Sequence, residues 1–222
     1  MRIIIDFSNF KFPSVNKIIK LFTAADLLLL MGWGVITPLF AVFVVTEISG
    51  ATVVTVGVVA GIYWITRALF QIPISLFLDK TSGEKDDFYS LVIGLMVISI
   101  SSFSYMLVVT VWQIYLITFI KGLGFALYVP PWNAIFSRHL DREHTVFDWA
   151  LHSSAASLSI GIGGLIGGWV VFVGGFKLIF LLAGLSSLAG ASILLFVPDI
   201  ILPRRVSADP VVIPPSITQK KI

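Results

Sequence analysis

Six almost unbroken apolar stretches, at 21–45, 52–78, 88–109, 112–136, 148–172 and 178–197, occupy most of the chain. A bilayer core of ~30 Å needs ~20 helical residues at ~1.5 Å each, and every stretch meets that length. Hydrocarbon offers no partner to a free amide, so each stretch must satisfy its backbone internally, as a helix. The pattern predicts an all-α membrane protein whose six transmembrane helices fill residues 21–198. Residues 1–20 are predicted to form a short arm, with Phe7, Phe10 and Phe12 at the lipid interface. The stretch 199–222, punctuated by Pro203, Pro210, Pro214 and Pro215, is predicted to be a flexible tail.

Ionisable residues interrupt the apolar runs sparingly. Helix one carries Asp26, helix two Arg67, helix four Lys121, and helix five Asp148 and His152; helices three and six carry none. A charge at bilayer depth costs about 2.5–3.5 kcal/mol on the insertion scale, so it normally faces the bundle interior or water. Helices one, two, four and five are therefore predicted to line a polar interior, with three and six toward lipid. Two charged helices followed by an uncharged one, twice over, predict a 3+3 internal repeat. The second copy is inverted, because three crossings reverse direction. Gly32-Trp33-Gly34 with Pro38 downstream and Gly122-Leu123-Gly124 with Pro130 downstream form a matching pair.

Helical spacing adds neighbours to these charges. Asp26, Trp33 and Thr37 share a face of helix one, and Tyr63, Arg67 and Gln71 a face of helix two. Lys121, Tyr128 and Trp132 line one face of helix four, and Asp148, His152 and Ser159 one face of helix five. Candidate residues of a substrate or proton pathway are thus Asp26, Trp33, Thr37, Tyr63, Arg67, Gln71, Lys121, Tyr128, Trp132 and His152. Tyr128 and Trp132 read equally well as packing or interface aromatics, and Asp26, roughly 8 Å deep, as an inner-edge acid near water. Asp26 is a candidate proton carrier, because intramembrane carboxylates serve as relays. His152 is the second candidate, since imidazole titrates near physiological pH. Two basic residues near the midplane against one shallower acid point to an anionic or polar solute. Asp26 neutralising Arg67 or Lys121 is the other reading.

With 57% hydrophobic and 12% charged residues, a soluble globular domain is excluded. The net charge of +3 hides an asymmetry. Arg2, Lys11, Lys17, Lys20, Lys80, Lys85, Arg138, Arg142, Arg204, Arg205, Lys220 and Lys221 flank the helices on one side, whereas the other carries only Lys177. By the positive-inside rule both termini are cytoplasmic in a multi-pass protein of the cell membrane. The basic balance reports topology and gives no support to nucleic-acid binding. The chain has no cysteine, which excludes disulfides, thiolate metal sites and prenyl or palmitoyl anchors. The first apolar stretch is too long for a cleaved signal peptide and contains Pro38.

An enzyme is not expected. Asp148, His152 and Ser153 hold the residue types of a hydrolytic triad. Ser153, however, follows His152 directly and points about 100° away around the helix. No paired aspartates suggest a protease, no histidine cluster suggests a metal, and no cofactor is implied.

The loop after helix two reads Ser75-Leu76-Phe77-Leu78-Asp79-Lys80-Thr81-Ser82-Gly83-Glu84-Lys85. With the six helices and the charge layout, it resembles the amino-terminal six-helix half of a major facilitator superfamily transporter. That family's loop pattern is a glycine, a hydrophobic residue, an Asp-Arg pair, a second glycine and basic residues. Asp79-Lys80 fit it, Ser75 replaces the first glycine, Gly83 falls one position late, and Glu84, Asp86 and Asp87 dilute the basic end. Ser159-x-x-x-Gly163-Gly164-x-x-Gly167-Gly168 resembles the family's helix-five glycine motif, with Gly164 where proton-driven drug antiporters carry proline. Lys121-Gly122-Leu123-Gly124 resembles a helix-four motif, with Thr118 where a basic residue is expected.

The resemblance implies one half of a major facilitator fold and transport of a small-molecule solute by alternating access. It also implies a conformational-switch role for Asp79 and Lys80. Family members usually have twelve helices in two parallel halves, so a homodimer of this chain in the lipid bilayer would reproduce the arrangement. GxxxG-type spacing at Gly57 and Gly61, and the cluster Gly163, Gly164, Gly167 and Gly168, permit close approach in a dimer or within one bundle. The alternative is a half-transporter that acts as a non-transporting scaffold, is truncated, or needs a different second half.

Overall fold

The computed structural model describes residues 15–80, 84–141 and 143–196; the arm at 1–14 and the tail beyond 196 lie outside these. Among the described residues the chain is helical apart from short connections: α1 Lys17–Ile36, α2 Phe40–Glu47, α3 Val53–Leu78, α4 Lys85–Tyr105, α5 Val111–Arg138 and α6 Thr145–Phe196. All except α2 are long and apolar enough to cross a membrane.

Local chemistry sets the ends. Asn16 caps α1 by accepting from the Ile18 amide at 3.1 Å, so the helix begins before the apolar stretch does. At the starts of α3 and α5 the Thr52 amide donates to Thr55 Oγ1 at 3.0 Å and the Thr110 amide to Gln113 Oε1 at 3.1 Å, the third helical residue accepting as in a capping box. Asp86 and Asp87 occupy the first turn of α4, where carboxylates favour the helix dipole. The first apolar stretch is not one helix: α1 stops at Ile36 and α2 resumes at Phe40, with Pro38 between them. Proline withholds an amide and clashes with the preceding turn. Pro73, Pro130 and Pro131 sit inside α3 and α5 without breaking them.

α6 spans 52 residues, which would extend ~78 Å if straight. Its two parts are divided at Gly175, whose φ of 69° and ψ of −178° are open to glycine alone. The contacts with α1 give the direction of each part. Gly163 abuts Met31 and Val35, and Gly167 abuts Val35 and Leu39, so this part runs parallel to α1. Beyond Gly175, Ala183 and Ser186 meet Gly32 while Gly190 meets Ala25, so the second part runs antiparallel. The chain folds back on itself at Gly175.

The connections gather at two ends. At one, the Asn16 side-chain amide donates to the His139 carbonyl at 3.4 Å, and Arg138 pairs with Asp87. At the other, Ser49 and Thr110 form an isolated bridge, and Phe43 packs on Phe176 and Phe180.

α4 packs one face on its neighbours and leaves Tyr89, Ile93, Met96 and Ile100 exposed along the other. Of its most apolar stretch 61% is buried, against 17% for α3. Small residues admit its neighbours: a Cβ on Gly94 would stand 2.8 Å from the Gly124 carbonyl oxygen of α5. Its hydroxyls find partners, Ser90 on the Leu127 carbonyl at 3.0 Å and Ser99 on the Gly184 carbonyl at 2.8 Å. Beyond its first turn α4 carries no charge, and it lies off the polar stripe.

Candidate functional site

Three groups of ionisable residues form within and at the end of the bundle. The first is built around Asp26 of α1, which is only 7% exposed. The Tyr128 hydroxyl of α5 donates to Asp26 Oδ1 at 2.6 Å, and His152 Nε2 of α6 lies 3.4 Å from Oδ2. The His152 ring packs on Trp132 at 4.5 Å and on Phe136 at 5.3 Å between centroids. A cavity of about 210 Å³ opens against this group, with Asp26, Arg67, Tyr128 and Trp132 in its wall.

The second group surrounds Lys121 of α5. Its Nζ stands 3.5 Å from the Trp33 ring centroid, 4.8 Å from that of Tyr63 and 5.6 Å from that of Phe40. Ring faces carry the negative part of the aromatic quadrupole and therefore attract the ammonium. Arg67 of α3 lies over Trp64 at 5.3 Å and Phe125 at 5.9 Å, and donates to the Tyr63 hydroxyl at 3.4 Å. These residues, with Thr37, border a second cavity of about 590 Å³. Leu30, Arg67 and Phe125 belong to both walls, so the two cavities form one stripe from Lys121 to Asp26. Within it Thr37 turns its hydroxyl back onto the Trp33 carbonyl at 2.6 Å, and among the described residues the buried indole N–H groups of Trp33 and Trp132 have no hydrogen-bond partner.

The third group lies at the end of the bundle. Arg138 at the end of α5 donates to Asp87 at 2.6 Å and reaches Glu84 at 3.7 Å, while His139 stands 3.8 Å from Glu84. Asp79 follows α3 directly, its amide donating to the Ser75 carbonyl at 2.9 Å, and its charge reaches Arg138. Asp79 and Lys80 are both exposed.

Of the residues picked from the sequence, the stripe brings together Asp26, Trp33, Thr37, Tyr63, Arg67, Lys121, Tyr128 and Trp132, with His152 behind Asp26. Gln71 is half-buried and lines neither cavity. Asp148 points elsewhere: it accepts from the Asp141 amide at 3.1 Å and closes the turn before α6. The basic side chain nearest Asp26 is the His152 imidazole; neither Arg67 nor Lys121 comes within salt-bridge distance. Periodicity did not single out Phe40 and Phe125. Phe125 lies one turn after Lys121 on the same face, which is the signal that could have found it.

The glycines divide. Gly163 and Gly167 pack inside the bundle: a Cβ at either would fall 2.7 Å from a carbonyl oxygen of α1. Gly164 would only graze Gly34 at 3.9 Å, and Gly57, Gly61 and Gly168 face open space.

Residues 23–218 match the sequence model of the Major Facilitator Superfamily. An uncharacterized MFS-type transporter of Methanocaldococcus jannaschii is 26% identical over 164 residues, which cover 74% of this chain and 41% of that protein. The chain thus spans about two-fifths of the length of the curated relative it matches. A match over most of the sequence, on a bundle of long apolar helices with a polar stripe at its centre, has one conclusion: this chain is a multi-pass membrane protein that belongs to the major facilitator superfamily.

Proposed function

We propose that the chain carries a small solute across the membrane by alternating access, as a six-crossing half arranged as a 3+3 inverted repeat, completed by a second copy of itself. The observation that carries this reading is the stripe from Lys121 to Asp26, where charged groups of α1, α3 and α5 meet along one open-sided cavity wall. Charges held at such depth are costly and normally mark a solute or proton path. The mostly exposed α3, with Gly57 and Gly61 facing open space, supports a second half lying against that side.

Lys17, Lys80, Lys85 and Arg138 all border the end where Asn16 meets His139, which favours placing that end, and both termini, in the cytoplasm. Asp79 and Lys80 then act as a cytoplasmic switch against the second half, and Asp26 with His152 is the candidate proton relay.

The relative's greater length favours a second reading, in which a different partner supplies the other half or the chain serves as a non-transporting scaffold. Reconstitution of the purified chain into proteoliposomes separates the two. Solute flux from a cross-linkable dimer supports the first reading; a stable monomer without flux supports the second.

A further inference from the structure

Lys121 and Arg67 are the cations of the larger cavity, and among the described residues neither has a carboxylate within 4.0 Å. Asp26, the acid of the adjoining wall, already has Tyr128 on one oxygen and His152 on the other. The two cations are held by ring faces instead, and ring faces compensate only part of what desolvation of a charge costs. An ammonium has three donors and a guanidinium five, so most of their hydrogen-bonding capacity is unused. The Trp33 indole N–H, in a residue 8% exposed, is a further orphan donor of the same wall.

We propose that this cavity takes an organic anion: a carboxylate carried on a flat apolar body. This rests on the reading of the stripe as the solute path. The carboxylate accepts from Lys121 and Arg67, while the body lies among the rings of Trp33, Tyr63 and Phe125. The size fits, since about 590 Å³ lies within the range of small-molecule sites. A small inorganic anion would leave apolar wall uncovered. A cation would meet two like charges.

The test is binding of radiolabelled 2-naphthoate to the full chain in lipid nanodiscs, with 2-naphthamide, which has the same shape and no charge, and oleate as competitors. We expect saturable binding, displaced by 2-naphthamide about tenfold less well than by unlabelled 2-naphthoate, and weakened about tenfold or more in Lys121→Gln. Equal potency of amide and carboxylate overturns the proposal without reference to any variant. Binding indifferent to Lys121→Gln also overturns it, as expected if a carboxylate of a second half already fills the place. Stronger displacement by oleate overturns the flat body in favour of a membrane-derived chain. Labelling of Ala60→Cys by a water-soluble thiol reagent keeps this result apart from the parent reading. Labelling without naphthoate binding leaves the pathway standing and removes the anion; no labelling and no binding removes both.

Discussion

The Tyr128 hydroxyl and the Asp26 carboxylate, 102 positions apart in sequence, are joined by a 2.6 Å hydrogen bond inside the bundle. It ties α5 to α1 at the point where His152 of α6 also reaches the carboxylate. A donor to a buried carboxylate is worth more than a neutral pair, and its loss leaves the oxygen without that donor. Tyr128→Phe should lower stability by about 1–3 kcal/mol. In Asp26→Asn/Tyr128→Phe the two effects should not add, which thermal unfolding of the detergent-solubilised variants would show. Strict additivity would mean that the bond contributes nothing.

If Asp26 carries the proton, Asp26→Asn should abolish gradient-driven accumulation in proteoliposomes while exchange of solute down its own gradient continues. Unchanged accumulation would transfer the role to His152, or leave a facilitator without proton coupling.

The glycines separate packing within a bundle from packing between halves. Gly163→Ala forces a Cβ to 2.7 Å from the Met31 carbonyl oxygen and should cost about 1–3 kcal/mol of stability. A Cβ on Gly61 meets nothing within 4 Å, so Gly61→Leu, whose side chain leaves from this open face, should leave the isolated bundle about as stable as before while weakening a dimer. Light scattering of Gly61→Leu in detergent decides this: a dimer of undiminished strength would place the second half elsewhere.

Topology is testable by thiol labelling of a chain that contains no native cysteine. The positive φ at Gly175 makes it a poor labelling position, whereas Lys177 is exposed on the same turn. Lys177→Cys should react from outside intact cells, and Lys80→Cys only after permeabilisation. The reverse pattern would invert the orientation.

Asp79→Asn is expected to slow turnover with solute affinity nearly intact, since Asp79 lies at the bundle end, remote from the stripe in sequence and in packing. A loss of affinity at unchanged turnover would contradict a switching role. Arg138→Gln at the same end strands the 5% exposed Asp87 and should cost about 1–2 kcal/mol, tempered by the solvent exposure of Arg138.

The apolar stretches, the helices that carry charge, and the turn positions between them were legible from residues alone. Length against a bilayer and the cost of a buried charge are local properties that a sequence states directly. Even the shared faces of Tyr63 with Arg67 and of Lys121 with Tyr128 follow from helical spacing. What only the tertiary structure decided is how each helix is rotated and where it crosses its neighbours. Asp26 could have formed an ion pair with Arg67, and instead shares only a cavity wall with it and contacts His152 and Tyr128. Lys121 could have sought a carboxylate, and instead lies on Trp33. α4, uncharged beyond its first turn, is among the most buried helices, and Gly163 packs inward while Gly57 stays open, although both belong to glycine-spaced faces. Periodicity sets which residues share a face of one helix. It leaves the azimuth of that face free until contacts between distant segments choose it.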